Sequence, residues 1–300
     1  MDTLPGGYWD GSNCQKRFNF RELTGQLELD LADAVTGMGR NPNSAPVLVT
    51  SVLSKALDNI DGKPATKEIV HDLSVPDRQY LMRKLAILLG YDTAWFSKDC
   101  SSCAERFDFQ ITYSDLPVFP AKEGYPYVIV NTKHGKQKFR VPTGADQEAI
   151  LKVGNDIDSE TALLRLCYVP EKQGHVSEEL GYVPEKFGRA SEKARHVSHV
   201  SDDELEFSEK DTAKIGAALE EVSPSVITNI NAGCPECGES HQIRLDPYFL
   251  LEKNIGSQLL NDIHTIAQSY HWNEKEILAL SKQRREIYLD LIEQDSIARE

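Results

Sequence analysis

Two stretches decide the fold: Cys100-Ser101-Ser102-Cys103-Ala104-Glu105-Arg106-Phe107-Asp108-Phe109-Gln110-Ile111 and Cys234-Pro235-Glu236-Cys237-Gly238-Glu239-Ser240-His241-Gln242-Ile243-Arg244-Leu245. Each joins a Cys-x-x-Cys knuckle to an alternating run: Phe107, Phe109 and Ile111 in the first, His241, Ile243 and Leu245 in the second. Alternation with a period of two is the mark of a β-strand, here leading away from a tight turn. A turn of this kind presents two thiolates, which is how half of a zinc ribbon is built. Zn²⁺ takes four ligands, at about 2.3 Å for sulfur, so either knuckle alone leaves it two short. Together Cys100, Cys103, Cys234 and Cys237 make a tetrahedral set, and one structural Zn²⁺ per chain is the expectation. His241, at the position equivalent to Phe107, reads as a strand-face residue rather than a ligand.

The spacing complicates this reading. About 130 residues lie between Cys103 and Cys234, far more than a zinc ribbon usually places between its halves. A shared site turns everything between the knuckles into an insertion; two separate knuckles are the alternative. Four thiolates leave no open position on the metal, so the role is structural rather than catalytic. A thiol-disulfide oxidoreductase is a weaker reading, because its CxxC opens a helix whose N-terminus lowers the thiol pKa, whereas each pair here leads into a strand. The remaining cysteines, Cys14 and Cys167, are isolated; Cys167 closes the apolar run Leu163-Leu164-Arg165-Leu166 and reads as an inert core thiol.

Outward from the knuckles, helical patterns dominate. Thr24-Gly25 opens one through Leu27, Leu31 and Ala34; Ser44 with Pro46 starts a second over Val47 to Leu57; Thr66 caps a short one, Lys67 to His71. Ser74, Pro76 and Asp77 start the strongest N-terminal helix, with Gly90 as its stop. Arg17 to Arg21 alternates like a strand. Tyr127–Val130 and Lys138–Val141 flank a turn and read as a β-hairpin, followed by helices opening at Thr143 and spanning Ser159 to Cys167. Ser208 caps Glu209 to Val222; Val226 to Ile230 is strand-like; a long helix is expected from about Pro247 to Tyr270. Asn273 with Glu276 forms a capping box, and Ser281 opens a last helix. The predicted class is α+β, mainly helical with short antiparallel strands and a split zinc ribbon. Four segments follow: a helical region with the first knuckle (1–120), a hairpin with helices (121–168), a flexible linker (169–206), and the second knuckle with the C-terminal helices (207–300). The linker repeats Tyr168-Val169-Pro170-Glu171-Lys172 as Tyr182-Val183-Pro184-Glu185-Lys186 and is otherwise poor in large apolar residues.

The chain has 300 residues and a formal net charge of −14. That charge repels a phosphate backbone and an anionic membrane surface, so neither nucleic acid nor membrane is an expected partner. No run approaches the ~20 apolar residues of a spanning helix, and the start Met1-Asp2-Thr3-Leu4-Pro5 lacks the features of a signal peptide. A cytoplasmic protein is expected. The G-x-S-x-G elbow, the phosphate loop and the H-E-x-x-H pair are all missing from the sequence, and the reading is of a protein without enzymatic activity. Lys282-Gln283-Arg284-Arg285 reads as a solvated helix face or a salt-bridge donor.

Several motifs, in order, carry a resemblance. Phe20-Arg21-Glu22-Leu23-Thr24-Gly25, Asp77-Arg78-Gln79-Tyr80-Leu81 running to Leu88-Leu89-Gly90, and the first knuckle with Phe107 resemble the baseplate and tail-assembly proteins of contractile-tailed phages. Phe139-Arg140-Val141-Pro142-Thr143-Gly144-Ala145-Asp146 belongs to the same likeness. The second knuckle, Tyr270-His271-Trp272-Asn273-Glu274 with Glu276-Ile277-Leu278-Ala279-Leu280, and Arg284-Arg285 with Tyr288-Leu289 look like a segment of similar proteins in phage-tail-like contractile injection systems. The resemblance implies a non-enzymatic baseplate component or assembly factor, cytoplasmic during assembly, with other baseplate or tail proteins as partners. The aromatic placement around Trp272, Leu280 and Tyr288 marks a candidate docking surface. A zinc-ribbon adaptor binding another protein or nucleic acid is the alternative.

Overall fold

Helix starts are set by local chemistry. In the computed structural model, which describes residues 2–11, 13–36, 44–152, 158–170 and 207–298, ten helices and thirteen strands follow in chain order. The N-terminal elements are β1 (Thr3–Trp9), β2 (Cys14–Phe20), α1 (Gly25–Thr36), α2 (Ala45–Ala56), β3 (Leu57–Ile60), β4 (Lys63–Pro64), α3 (Lys67–Asp72) and α4 (Val75–Leu88). Next come β5 (Thr93–Asp99), β6 (Arg106–Thr112), β7 (Val118–Phe119), β8 (Tyr127–Thr132), β9 (Gly135–Arg140), α5 (Gly144–Ile150), α6 (Ser159–Cys167) and β10 (Tyr168–Val169). The rest are α7 (Glu209–Val222), β11 (Ser225–Val226), β12 (Asn229–Gly233), β13 (Ser240–Arg244), α8 (Ser257–Tyr270), α9 (Glu274–Leu278) and α10 (Lys282–Ile297). The fold is α+β, and every strand pairing among the described residues is antiparallel.

Three caps act as the sequence chemistry requires, while Ser281 opens α10 without a side-chain cap bond. The Ser208 side chain accepts from Asp211 N–H at the start of α7, and Asn273 and Glu276 form a reciprocal box at α9. Thr143 and Asp146 do the same at α5. Each satisfies N–H groups that the first helical turn leaves without partners.

The chain divides into two units. The first comprises Met1–Arg17, Glu68–Tyr80 and Pro117–Val226; the second comprises Phe18–Lys67, Leu81–Leu116 and Ile227–Glu300. These boundaries do not coincide with the four segments read from the sequence. Of the linker segment, Val169 pairs with Lys138 of β9, and residues 171–206 lie outside the described residues.

In the first unit, β8 of the sheet β10-β9-β8 alternates cleanly: Val128 and Val130 point inward with Phe139 of β9, against Leu164 of α6 and Ile215 and Leu219 of α7. Ile215 and Leu219 are four apart and share one helix face. Arg140 closes the layer, donating to both carboxylate oxygens of Asp146 (2.5 and 2.7 Å) and to the Leu166 carbonyl (3.0 Å). Asp77 is fully buried and accepts from Gly6 N–H, Gly7 N–H and the Ser74 hydroxyl. Burial pushes its carboxyl above the ordinary range, against the pull of these donors and of Tyr125.

In the second unit α1 packs on α2, and β2 pairs with β3 through Phe18 opposite Ile60 and Phe20 opposite Leu57. The start of α1 is tied to the α9–α10 junction: Gly25 N–H donates to the Leu280 carbonyl and Lys282 N–H to that of Leu23. Arg285, fully buried, donates to Glu28 and to the Leu280 carbonyl, with Asp262 3.8 Å away. The basic run 282–285 is therefore partly internal wiring: Lys282 Nζ also donates to the Leu89 carbonyl.

Two sequence expectations are corrected here. The long helix begins at Ser257, ten residues after Pro247, because Gly256 stands in the left-handed region (φ 93°) and a short 3₁₀ turn occupies Phe249–Glu252. The strand expected over Val226–Ile230 is two strands, β11 paired with β7 and β12 paired with β13.

Candidate metal centre

Both knuckles sit at the closed ends of β-hairpins in the second unit. β5 pairs with β6 up to Asp99 opposite Arg106, and β12 with β13 up to Gly233 opposite Ser240. The loop chemistry is the same in each. Cys100 N–H donates to the Glu105 carbonyl (2.9 Å) and Ala104 N–H to that of Cys100 (3.0 Å); Cys234 N–H donates to Glu239 (2.8 Å) and Gly238 N–H to Cys234 (2.9 Å). The residue after the second cysteine takes the left-handed backbone in both, Ala104 at φ 63° and Gly238 at φ 76°. Gly adopts that conformation without steric cost; Ala does so only where the loop demands it.

The hairpins bring the four sulfurs together. Cys100 Sγ lies 3.6 Å from Cys237 Sγ and Cys103 Sγ 3.7 Å from Cys234 Sγ. All four lie within 4.8 Å of one another. Disulfide sulfurs stand at about 2.05 Å, so these contacts are not covalent. A tetrahedron with metal–sulfur bonds of about 2.3 Å has edges near 3.8 Å, and the two shortest separations fall close to it. The two shortest contacts span the knuckles, as a shared ion requires. A dithiol redox pair instead closes inside its own CxxC. The residues present therefore form a possible site for a thiophilic ion, and a single shared one.

The site has an inner and an outer edge. Cys100 and Cys234 are buried with Phe107, Ala232, Phe109 and Ile243, while Cys103 and Cys237 are exposed. Phe109 stacks on Phe96 of the neighbouring strand, centroids 5.6 Å apart. The thiols are electrostatically unequal. The backbone N–H of Cys103, helped by Ser102 N–H, His241 and Cys237, draws Cys100 down to about 6 in spite of desolvation. At Cys103 the Glu105 N–H pulls down, but desolvation and the three neighbouring thiols push it up to about 12. Four thiols this close resist collective ionisation, and a dication removes that resistance by accepting all four as thiolates.

No protein-family model, curated protein or solved structure matches this chain.

The other sequence-marked residues are placed as follows. Trp272 and Tyr288 are half-buried and meet edge to face at 4.9 Å, with Tyr270 stacked 5.3 Å from Trp272; this cluster joins the end of α8 to α10. Leu280 is half-buried, and its carbonyl is spent on Gly25 and Arg285. Cys167 is fully buried, and burial pushes its thiol up to about 12. Among the described residues, no helix is long and apolar enough to cross a membrane.

One residue of the site escaped the sequence. His241 is buried, and its Nε2 lies 3.3 Å from Cys100 Sγ. The alternation places it on a strand face, where it is, but only the convergence of the hairpins turns that face toward a sulfur.

Proposed function

We propose that this chain is a non-enzymatic structural or assembly component of a contractile, phage-tail-like baseplate, held together by one structural Zn²⁺. The observation that carries the clip is the meeting of four cysteine sulfurs from knuckles about 130 residues apart. On this reading β5–β6 and β12–β13 are the halves of a split zinc ribbon set in a mainly helical protein. Cross-linking a loop of that length removes conformational entropy from the unfolded chain worth about 5 kcal/mol in the loop-closure model. Zinc suits the donor set because it takes four thiolates tetrahedrally, without redox chemistry. Baseplate membership is supported by the ordered motifs of the sequence, with other baseplate or tail proteins as partners and the aromatic cluster at Trp272, Leu280 and Tyr288 as the docking candidate. The protein acts in the cytoplasm during assembly.

Two measurements test the parts separately. Elemental analysis of the purified chain should give close to one zinc per chain, and Cys234→Ser should lose it; zinc-free protein after purification in zinc-supplemented medium refutes the clip. Deleting the coding sequence in the native host should abolish intact contractile particles in electron micrographs. Normal particles in the deletion strain refute the baseplate role.

A further inference from the structure

The two hairpins share their cysteines and the glutamate two residues after the second one, and among the positions where they differ one is buried against the sulfurs. Seven residues after the first cysteine of each knuckle stands Phe107 in one, paired with Lys98, and His241 in the other, paired with Ala232. The two rings pack on each other with centroids 5.7 Å apart. Phenyl has nothing to donate. The imidazole does: its Nε2 lies 3.3 Å from Cys100 Sγ, in a buried setting. A metal-bound thiolate has no proton to give, so a hydrogen bond between the two groups runs from the imidazole N–H to the sulfur. Cys100 thus receives the imidazole in addition to Ser102 N–H at 3.4 Å. His241 stands outside the group of four mutually close ligand atoms and acts on the site through a ligand.

Four thiolates around a dication leave two surplus negative charges, in a chain whose own net charge is −14. Donation onto a sulfur spreads that surplus, and donors of this kind orient a ligand and tune the affinity of a metal site. We infer that His241 is the positioning residue of the metal centre: its Nε2–H hydrogen bond to Cys100 Sγ orients that ligand and strengthens binding of a thiophilic divalent cation. This rests on the metal reading above.

The competing role is plain packing against Phe107, and the variants separate the two. His241→Phe keeps a ring of similar size, already tolerated at the matching position, and removes the donor; His241→Gln returns an N–H. The probe is Co²⁺ added to the metal-free full-length chain, followed by its thiolate charge-transfer absorption, with Zn²⁺ competition for affinity. His241→Phe is expected to bind one Co²⁺ roughly 10- to 100-fold more weakly with a shifted band, and His241→Gln to recover part of both. Wild-type affinity and spectrum in His241→Phe overturn the inference. The imidazole ¹⁵N spectrum of the zinc-loaded wild type decides the matter even where a variant fails to fold. A protonated Nε2 supports the hydrogen bond, and a bare Nε2 overturns it. Wild-type protein that takes up no Co²⁺ overturns the metal reading itself, a result distinct from the others.

Discussion

Gly144→Ala is the substitution on which local rules and packing give opposite signs. Gly144 is the first residue of α5 and its backbone is not in the left-handed region. By propensity alone, Ala there stabilises a protein by about 0.4–1 kcal/mol, through loss of unfolded-state freedom. The packing says otherwise. A Cβ at position 144 would lie 1.6 Å from Arg78 Nη1 and 2.3 Å from its Cζ. The guanidinium is fully buried and donates through Nη1 to the Val70 carbonyl at 3.3 Å, so it has no solvent to swing into. Displacing a charged, hydrogen-bonded group costs about 1.5–3 kcal/mol, and overpacking adds about 1–3 kcal/mol. After the propensity gain the net loss is about 2–5 kcal/mol. Urea unfolding followed by circular dichroism measures it. In an Arg78→Met background, where the fork is replaced by a flexible apolar chain, the same substitution should cost under about 1 kcal/mol. The difference between backgrounds is the coupling between the two residues. Equal or greater stability in Gly144→Ala, or the same loss in both backgrounds, refutes the reasoning.

Two further outcomes follow from the titrating groups. The Ser208 side chain, the Lys133 and Ser208 N–H groups and Lys214 hold Asp211 below the ordinary value of 3.8 in spite of desolvation. A depressed folded pKa stabilises above the unfolded value and is lost as pH falls through the folded one. The stability advantage of wild type over Asp211→Asn should therefore be full at pH 7 and shrink steadily below about pH 4; an advantage unchanged at pH 3 contradicts the assignment. Cys167 should resist maleimide in the native protein at pH 8 and react on unfolding, since only the thiolate attacks and burial holds this thiol at about 12. Native-state labelling at the rate of a free thiol would place it outside the core.

Legibility in the sequence tracked the range of the interaction involved. Caps are contacts three residues long, and Ser208, Thr143 and Asn273 announced their helices correctly. The cysteine knuckles were equally local. What the knuckles shared was harder to see, because pairing Cys100 with Cys237 needs a contact spanning 137 positions. β5 was overlooked because Thr93–Asp99 is largely exposed and its alternation shallow. β3 was absorbed into the helix before it, since Leu57 continues the apolar spacing of α2; the turn residues Asp61 and Gly62, both at positive φ, are the signal that could have separated them. His241 illustrates the limit: its strand face was readable, and what that face looks at was not. The run Phe139 to Asp146 reads from sequence as a strand end and a helix start, and no further. Its chemistry, an Arg140–Asp146 fork beside a helix cap with Gly144 under a buried guanidinium, is defined by partners at Leu166, Leu73 and Arg78.

The separation of the knuckles along the chain also has a meaning in time. A ribosome adding about 5–20 residues per second takes roughly 7–26 s to travel from Cys103 to Cys234. Throughout that interval the first hairpin is without its partner, and every segment of the first unit, ending at Val226, is translated before the second knuckle. On the proposed metal reading, Cys100 and Cys103 must stay reduced and unclaimed across the wait, and the four-sulfur site cannot be complete until Cys237, in the last quarter of the 300-residue chain, has been added.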